Sequence, residues 1–247
     1  MKDFPSQYIK SIRLGSPPPQ DSYLCGLPVV RHLQRQGSLE FSAPVTFLVG
    51  ENGTGKSTLL EAIAVACGFN AEGGTRNFNF STRATHSALY RHITVSRAAT
   101  PKDGCFLRAE SFYNLASNID DLNTDGTLLP YYGGVSLHRQ SHGESFLSVV
   151  LNRFGGNGLY ILDEPEAALS PMRLMTLLAA MQSLVEKNSQ FIISTHSPVL
   201  MAYPGAQIYE LSEEGIASVP YKETQHYIFT RRFLEDPERM LRYLMED

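Results

Sequence analysis

"VGENGTGKST", residues 49–58, decides how this chain must be read. From Gly50 it fits the pattern G-x-x-x-x-G-K-[ST]. The run leading into it, "VTFLVG" (Val45 to Gly50), is continuously apolar, as a strand covered on both faces requires. The run leaving it, "KSTLLEAIAVACGF", carries good helix formers and stops at Gly68, a natural C-cap. Strand, loop and helix in that order form the context this pattern needs. Gly50, Gly53 and Gly55 let the backbone curl until successive N–H groups face phosphate oxygens. The helix start adds its positive end. Lys56 supplies a charge for the β and γ phosphates, and the Ser57 hydroxyl is placed to ligate Mg²⁺. The expected nucleotide-binding residues are Asn52, Gly53, Thr54, Gly55, Lys56, Ser57 and Thr58. A glycine-rich turn that merely reversed the chain would leave Lys56-Ser57 unexplained.

The second decisive stretch is "LYILDEPE". It reads as a buried strand ending in acids, beside the phosphate loop. Asp163 is the expected Mg²⁺ partner, and Glu164 the base or orienting group for water attacking the γ-phosphate. As a bland alternative, the two acids only begin a helix. A kinase would need an acceptor site and a GTPase a guanine-reading N-K-x-D, and neither is evident. "FIISTHSP" then places His196 just past a third buried strand, where its imidazole can donate toward the γ-phosphate. A lone histidine is more often structural; its place at the sheet top argues for the functional reading.

Around these stretches the chain alternates strands and helices, which means an α/β fold with a mainly parallel sheet. Short strands are expected from Tyr8 to Leu14 and at "GSLEF", with "GSPPPQD" as a break between them. Asn70 to Arg91 reads as loop with short strands, and "CFLRAE" as a strand. The 30 residues from Ser111 to Gln140 show turn signals and little periodicity. "GESFLSVVLNRF" is a helix with Phe146, Val150 and Phe154 on one face beside Leu147 and Leu151. "SPMRLMTLLAAMQSLVEKN" is another, with Ser170 as N-cap, Pro171 at N1, and Leu174, Leu178, Met181 and Val185 as its stripe. "AQIYEL" and "GIASVPY" are late strands, followed by helical segments.

"SHGESF" needs its own argument. Ser141 and Glu144 have the spacing of a capping box, so a helix begins here, and a helix start is a ready anion site. Gly143 permits close approach of a phosphate. His138 and His142 stand four apart, a metal-sharing spacing, but no third ligand is near. No G-x-S-x-G elbow supports a hydrolase triad.

Composition bounds the partners. The net charge of −4 gives no electrostatic case for nucleic-acid binding by the chain alone. With 43% apolar and 19% charged residues over 247 positions, a full core is expected and global disorder is not. Three scattered cysteines, with no CxxC pair, support neither a disulfide framework nor a thiolate zinc site. "MKDFPSQYIK" lacks the apolar core of a signal peptide, and no run approaches the roughly 18 apolar residues of a membrane span. A cytoplasmic protein without membrane insertion is the expectation.

The order phosphate loop, Ser-x-Gly-Glu helix start, Asp-Glu strand end and late histidine resembles the ABC-type ATPases. The pattern "VGENGTGKSTLLEAIA…LRAESF…SHGESF…LYILDEPEAALSP…ISTHSPVL" is similar to the soluble SMC- and RecF-like branch, and more closely to short bacterial AAA-family ATPases of ABC type without a coiled coil. The resemblance implies a P-loop NTPase head with an N-terminal antiparallel β part (1–44), a P-loop core (45–110), a helical signature lobe (111–157) and a Walker B core with the C-terminal part (158–247). It implies ATP and Mg²⁺ as cofactors and a head-to-tail homodimer. Ser141, Gly143 and Glu144 would serve as the signature, facing a second copy rather than their own phosphate loop. "EAALSP" would be the loop touching the partner and His196 the switch histidine. Two departures stand out: His142 replaces the first signature glycine, and Glu110 occupies the place of the family's loop glutamine as a metal or water contact. The implied activity is ATP hydrolysis that drives or gates an unidentified protein partner, in DNA maintenance or defence. A slow ATP-gated switch is the alternative, and a transporter subunit a weaker third.

Overall fold

The computed structural model describes residues 7–75, 87–123 and 126–245. A six-stranded sheet organises it, in the order β5-β6-β7-β3-β8-β9. Its strands are β3 (Val45–Gly50), β5 (Asp103–Arg108), β6 (Gly158–Asp163), β7 (Gln190–Ser194), β8 (Gln207–Ser212) and β9 (Gly215–Ser218). All neighbours pair in parallel except β8 with β9. A separate antiparallel sheet, in the order β2-β1-β4, is built from β1 (Ile9–Leu14), β2 (Ser38–Glu40) and β4 (Ile93–Arg97).

The apolar runs are continuous because the large sheet is covered twice. Phe47, Tyr160, Leu162, Phe191 and Ile193 face one core, shared with α3 (Phe112–Leu122), α4 (His142–Arg153) and α5 (Pro171–Glu186). Leu48, Leu159, Ile161 and Ile192 face the other, shared with α1 (Pro28–Gln36), α2 (Lys56–Ala66) and the small sheet. Successive side chains in a strand point to opposite faces, so two cores demand apolar residues at every position. Three helices complete the chain: the short α6 (Pro198–Met201), then α7 (Gln225–Glu235) and α8 (Pro237–Met245). Among the described residues, no helix is long and apolar enough to cross a membrane.

Several expectations change. The stretch taken as aperiodic forms α3, whose buried Phe112, Leu115, Ala116 and Ile119 have helical spacing. The Asp-Glu strand is not next to the phosphate-loop strand, because β7 lies between β6 and β3. On α4, Leu151 is exposed and Val149 is buried instead. On α5, Leu177 and Leu184 join Leu174 and Met181 in the core, leaving Leu178 and Val185 only partly covered. Both shifts are a rotation of the buried stripe, set by which face meets the sheet rather than by spacing alone. Ser170 stands at the N-cap of α5 but makes no side-chain cap bond. Within Asn70–Arg91, Gly74 bridges Phe106 and Ala88–Arg91 is a 3-10 turn, whereas residues 76–86 lie outside the described residues. Residues 1–6 of the N-terminal stretch lie outside them too.

Candidate functional site

The phosphate loop leaves β3 at Gly50 and enters α2 at Lys56. Gly50, Gly53 and Gly55 all have positive φ, at 130°, 84° and 94°. Gly50 has a second reason to be glycine: a Cβ there would collide with the Leu211 carbonyl on the adjacent β8. Lys56 Nζ donates to the carbonyls of Gly50 at 2.7 Å and Glu51 at 2.9 Å. Burial lowers the Lys56 pKa, against the opposing pull of Glu164, Asp163 and Glu51. Thr54 closes the loop with a bond from Oγ1 to the Glu51 carbonyl at 2.9 Å.

A cavity of about 210 Å³ opens beside α2, lined by Ser57, Ala109, Glu110, His142, Asp163, Glu164 and Ala167. It gathers Ser57, Glu110 and the adjacent pair Asp163 and Glu164, three places far apart in the chain. Asp163 is nearly buried at the end of β6, accepting from Ser194 Oγ on one oxygen. The other lies 3.3 Å from Arg108 Nε. Arg108 in turn pairs with the buried Glu61 of α2 at 2.7 Å. Glu110 is exposed, and its carboxylate stands 3.8 Å from Arg108. Among the described residues, no three His, Cys, Asp or Glu side chains converge as a metal cage. The Ser57 hydroxyl and Asp163 carboxylate nevertheless fit Mg²⁺, a hard cation held by few protein oxygens together with water and phosphate.

Glu164 sits in the left-handed region, φ 48° and ψ 53°. A non-glycine residue there stores strain of roughly 1–3 kcal/mol, and such positions cluster at functional sites. Its N–H donates to the Ser194 carbonyl at 3.1 Å. His196 Nε2 lies 3.4 Å from Glu164 Oε1. On the other side of the ring, His196 Nδ1 and His226 Nε2 are 2.8 Å apart. Burial lowers the His196 pKa, and Lys56 lowers it further. Glu166 Oε1 accepts the His196 backbone N–H at 2.5 Å, and burial raises the Glu166 pKa. Ser194, Glu166, Arg108 and His226 thus surround these residues; sequence reasoning selected none of them for the site, and placed Glu166 only in the stretch expected to touch a partner. Ser194 and Glu166 lie two residues from His196 and Glu164, so proximity along the chain was their signal. Arg108 likewise lies two residues from Glu110, whereas His226 carried no such signal.

The signature stretch opens α4. The expected capping box is present: Ser141 N and Oγ both donate to Glu144 Oε2, at 3.0 and 2.6 Å. Those bonds lower the Glu144 pKa, the Ser141 hydroxyl foremost. Both side chains are exposed. Gly143 is buried, and a Cβ there would meet Arg173 Nη1 at 2.6 Å and the Ala168 carbonyl at 2.8 Å. Its missing side chain therefore already serves the packing of α4 on the Asp-Glu loop. His142, which stands in place of the first signature glycine, borders the cavity of its own chain. Its ring meets Phe112 edge-on at 5.7 Å, while His138 bonds Ser117 at 3.0 Å, so the two rings go to different neighbours.

Two family models match the chain in tandem. One, described as an AAA domain, covers residues 30–103 and so spans the phosphate loop. The other is an AAA-domain model whose description also names the AbiEii toxin of a Type IV TA system. It covers residues 124–202, taking in the signature stretch, the Asp-Glu strand end and His196. Each model covers about a third of the chain, and both are AAA-domain models. No curated protein matches the chain. Among solved structures, it is similar to an SMC head domain from Thermotoga maritima, at 16% identity and a TM-score of 0.46 over 87% of this chain and 99% of that one. It is also similar to cbiO1 from Clostridium perfringens, part of the ABC transporter complex cbiONQ, at 16% identity and a TM-score of 0.48 over 98% of this chain and all of that one.

Proposed function

We propose that the chain is one ATPase domain that hydrolyses ATP to ADP and phosphate as a head-to-tail dimer, driving or gating a partner in DNA maintenance or defence. The observation that carries this reading is the 210 Å³ cavity where Ser57, Asp163 and Glu164 meet next to the Lys56 loop. Lys56 takes up the phosphate charge. Ser57 and Asp163 would hold Mg²⁺, with Glu110 at the rim, and the ion would neutralise charge on the phosphates. Glu164 accepts the proton of the attacking water. His196 Nε2 donates to the γ-phosphate oxygen. Electrostatic positioning of this kind does most of the work in phosphoryl transfer.

Ser141 and Glu144 remain exposed, as a trans role in a second copy's site requires. The defence branch draws support from the description of the second family model, which names a toxin system. The net charge of −4 weighs against DNA contact by this chain alone. Cytoplasmic action and an unidentified protein partner complete the reading. Steady-state phosphate release with Mg²⁺-ATP, with and without DNA, tests it. Turnover at the level of a Lys56→Ala control would end the hydrolase reading and leave an ATP-gated switch.

A further inference from the structure

His196 and His226, 30 residues apart in the chain, meet ring to ring. His226 stands in the first turn of α7, far along the chain from every motif. Its place is well held. Thr224 is fully buried and caps α7 by accepting the Tyr227 N–H at 3.3 Å, and its own hydroxyl donates to the Tyr221 carbonyl at 2.9 Å. Gln225 N donates to Glu210 Oε1 at 2.9 Å, which ties the helix start to β8. From this anchor the His226 ring stacks on His196 with centroids 5.0 Å apart and planes 17° apart. His226 also borders the larger cleft of about 770 Å³ that runs past Gly50–Thr54.

Two imidazole nitrogens 2.8 Å apart share one proton, so one must donate and the other accept. The carboxylate near the opposite nitrogen decides which. His196 Nε2 lies 3.4 Å from Glu164 Oε1, and a bare ring nitrogen facing a carboxylate would set lone pair against lone pair. Nε2 must therefore carry hydrogen. The other charged groups around this ring are Lys56 of α2 and Glu166, which takes the backbone N–H. Burial and Lys56 lower the His196 pKa against the pull of Glu164, so at pH 8, above the ordinary imidazole value of about 6.5, the ring has a single N–H to place.

We infer that His226 is a positioning residue for His196: its Nε2–H donates to His196 Nδ1 and so holds the switch imidazole as the Nε2–H tautomer, aimed at Glu164 and the phosphate side. The inference rests on the hydrolase reading for its consequence but not for its geometry. Without His226, the ring can flip or exchange tautomers, and the donor is presented only part of the time. The second shell of a metal-bound histidine acts in the same way, fixing which nitrogen is available.

Long-range ¹H–¹⁵N spectra of the full chain labelled at histidine read the tautomer directly. The expected result at pH 8 is a His196 with hydrogen on Nε2 and none on Nδ1. His226→Ala should give mixed tautomers for His196, with kcat down about tenfold and nucleotide affinity within about twofold, the pattern of an interaction that matters for turnover rather than binding. His226→Gln, whose amide can still donate, should restore the Nε2–H form and most of kcat. His226→Glu, an acceptor, should draw hydrogen onto Nδ1 as well, so that the ring, flanked by two carboxylates, carries hydrogen on both nitrogens. A wild-type His196 protonated on Nδ1 alone would overturn the inference. So would a His226→Ala chain with unchanged His196 signals, or a Gln variant as impaired as the Ala variant. If the wild type shows no turnover, the proposed function fails, while the spectra still decide the tautomer.

Discussion

The Arg173 guanidinium of α5 grips both ends of the capping box on α4: Nη2 stands 3.0 Å from Glu144 Oε1, and Nη1 3.3 Å from Ser141 Oγ. The two residues proposed to meet a second copy's phosphate are thus held within their own chain by a third. Ser141→Arg, which adds bulk and a charge at this point, should abolish turnover while leaving nucleotide binding by the single chain intact. Fluorescent-nucleotide titration beside a phosphate-release assay reads both. A loss of binding in this variant would place Ser141 in the wrong site.

Gly143→Ala tests a different use of the same helix start. The added methyl would press on the Ala168 carbonyl, which is backbone and cannot swing away, as well as on Arg173. Overpacking of this kind typically costs about 1–3 kcal/mol. Urea denaturation should show that loss, and Arg173→Ala in the same chain should recover only the part due to the flexible guanidinium. Unchanged stability in Gly143→Ala would mean that α4 is not seated against the Asp-Glu loop as described.

Lys56 already satisfies its ammonium on the Gly50 and Glu51 carbonyls, so phosphate must draw it away from them. Charge-assisted hydrogen bonds contribute about 1.5–3 kcal/mol each. Lys56→Ala should therefore weaken ATP binding by roughly ten- to a hundredfold per lost contact. Calorimetric titration that finds equal affinity would refute the phosphate-loop assignment.

Glu164→Gln keeps the size and the strained backbone position but removes the base. Turnover should fall by about 10²–10⁴-fold. Because the binding contacts persist, ATP should hold the variant as a dimer. Light scattering that finds only single chains at saturating ATP would count against the two-copy site.

Burial places the Glu166 pKa above the ordinary carboxylate value of about 4.3. Between those two values the folded chain holds a proton that the unfolded chain has released, so this group's contribution to stability declines as pH rises. Glu166→Gln, which can still accept the His196 N–H, should then melt higher relative to wild type as pH climbs, with the gap smallest near pH 4. His196 runs the other way. Its pKa is lowered, so its contribution is lost as pH falls below about 6.5 and the unfolded chain takes up the proton first. Parallel melting curves for the wild type and the Gln variant across this range would contradict the burial of Glu166.

Much of the site was legible because its chemistry is local. Gly50 to Thr58 need only their own order to make a loop that faces phosphate, and the run from Gly158 to Asp163 needs only its hydrophobicity to become a central strand. The capping box of Ser141 and Glu144 spans a single turn. The helix over Phe112–Leu122 was missed although its buried residues have helical spacing, because turn signals on both sides masked an 11-residue element. Which stripe of α4 and α5 is buried depended on where the sheet lay, and periodicity leaves that rotation open by one position.

The amino-acid order by itself determined that a glycine-lined loop between strand and helix, an acidic strand end and a histidine just past another strand exist in one α/β chain, since each is built by neighbours in sequence. Only the tertiary structure decided what those groups touch. It set Arg108 against Asp163, turned His142 toward its own cavity, used Gly143 to seat α4, and brought His226 to His196 across 30 residues. The physical reason is that a hydrogen bond or ion pair between distant residues leaves no periodic trace. It is fixed by the parallel sheet, which collects strand ends along one edge whatever their distance along the chain.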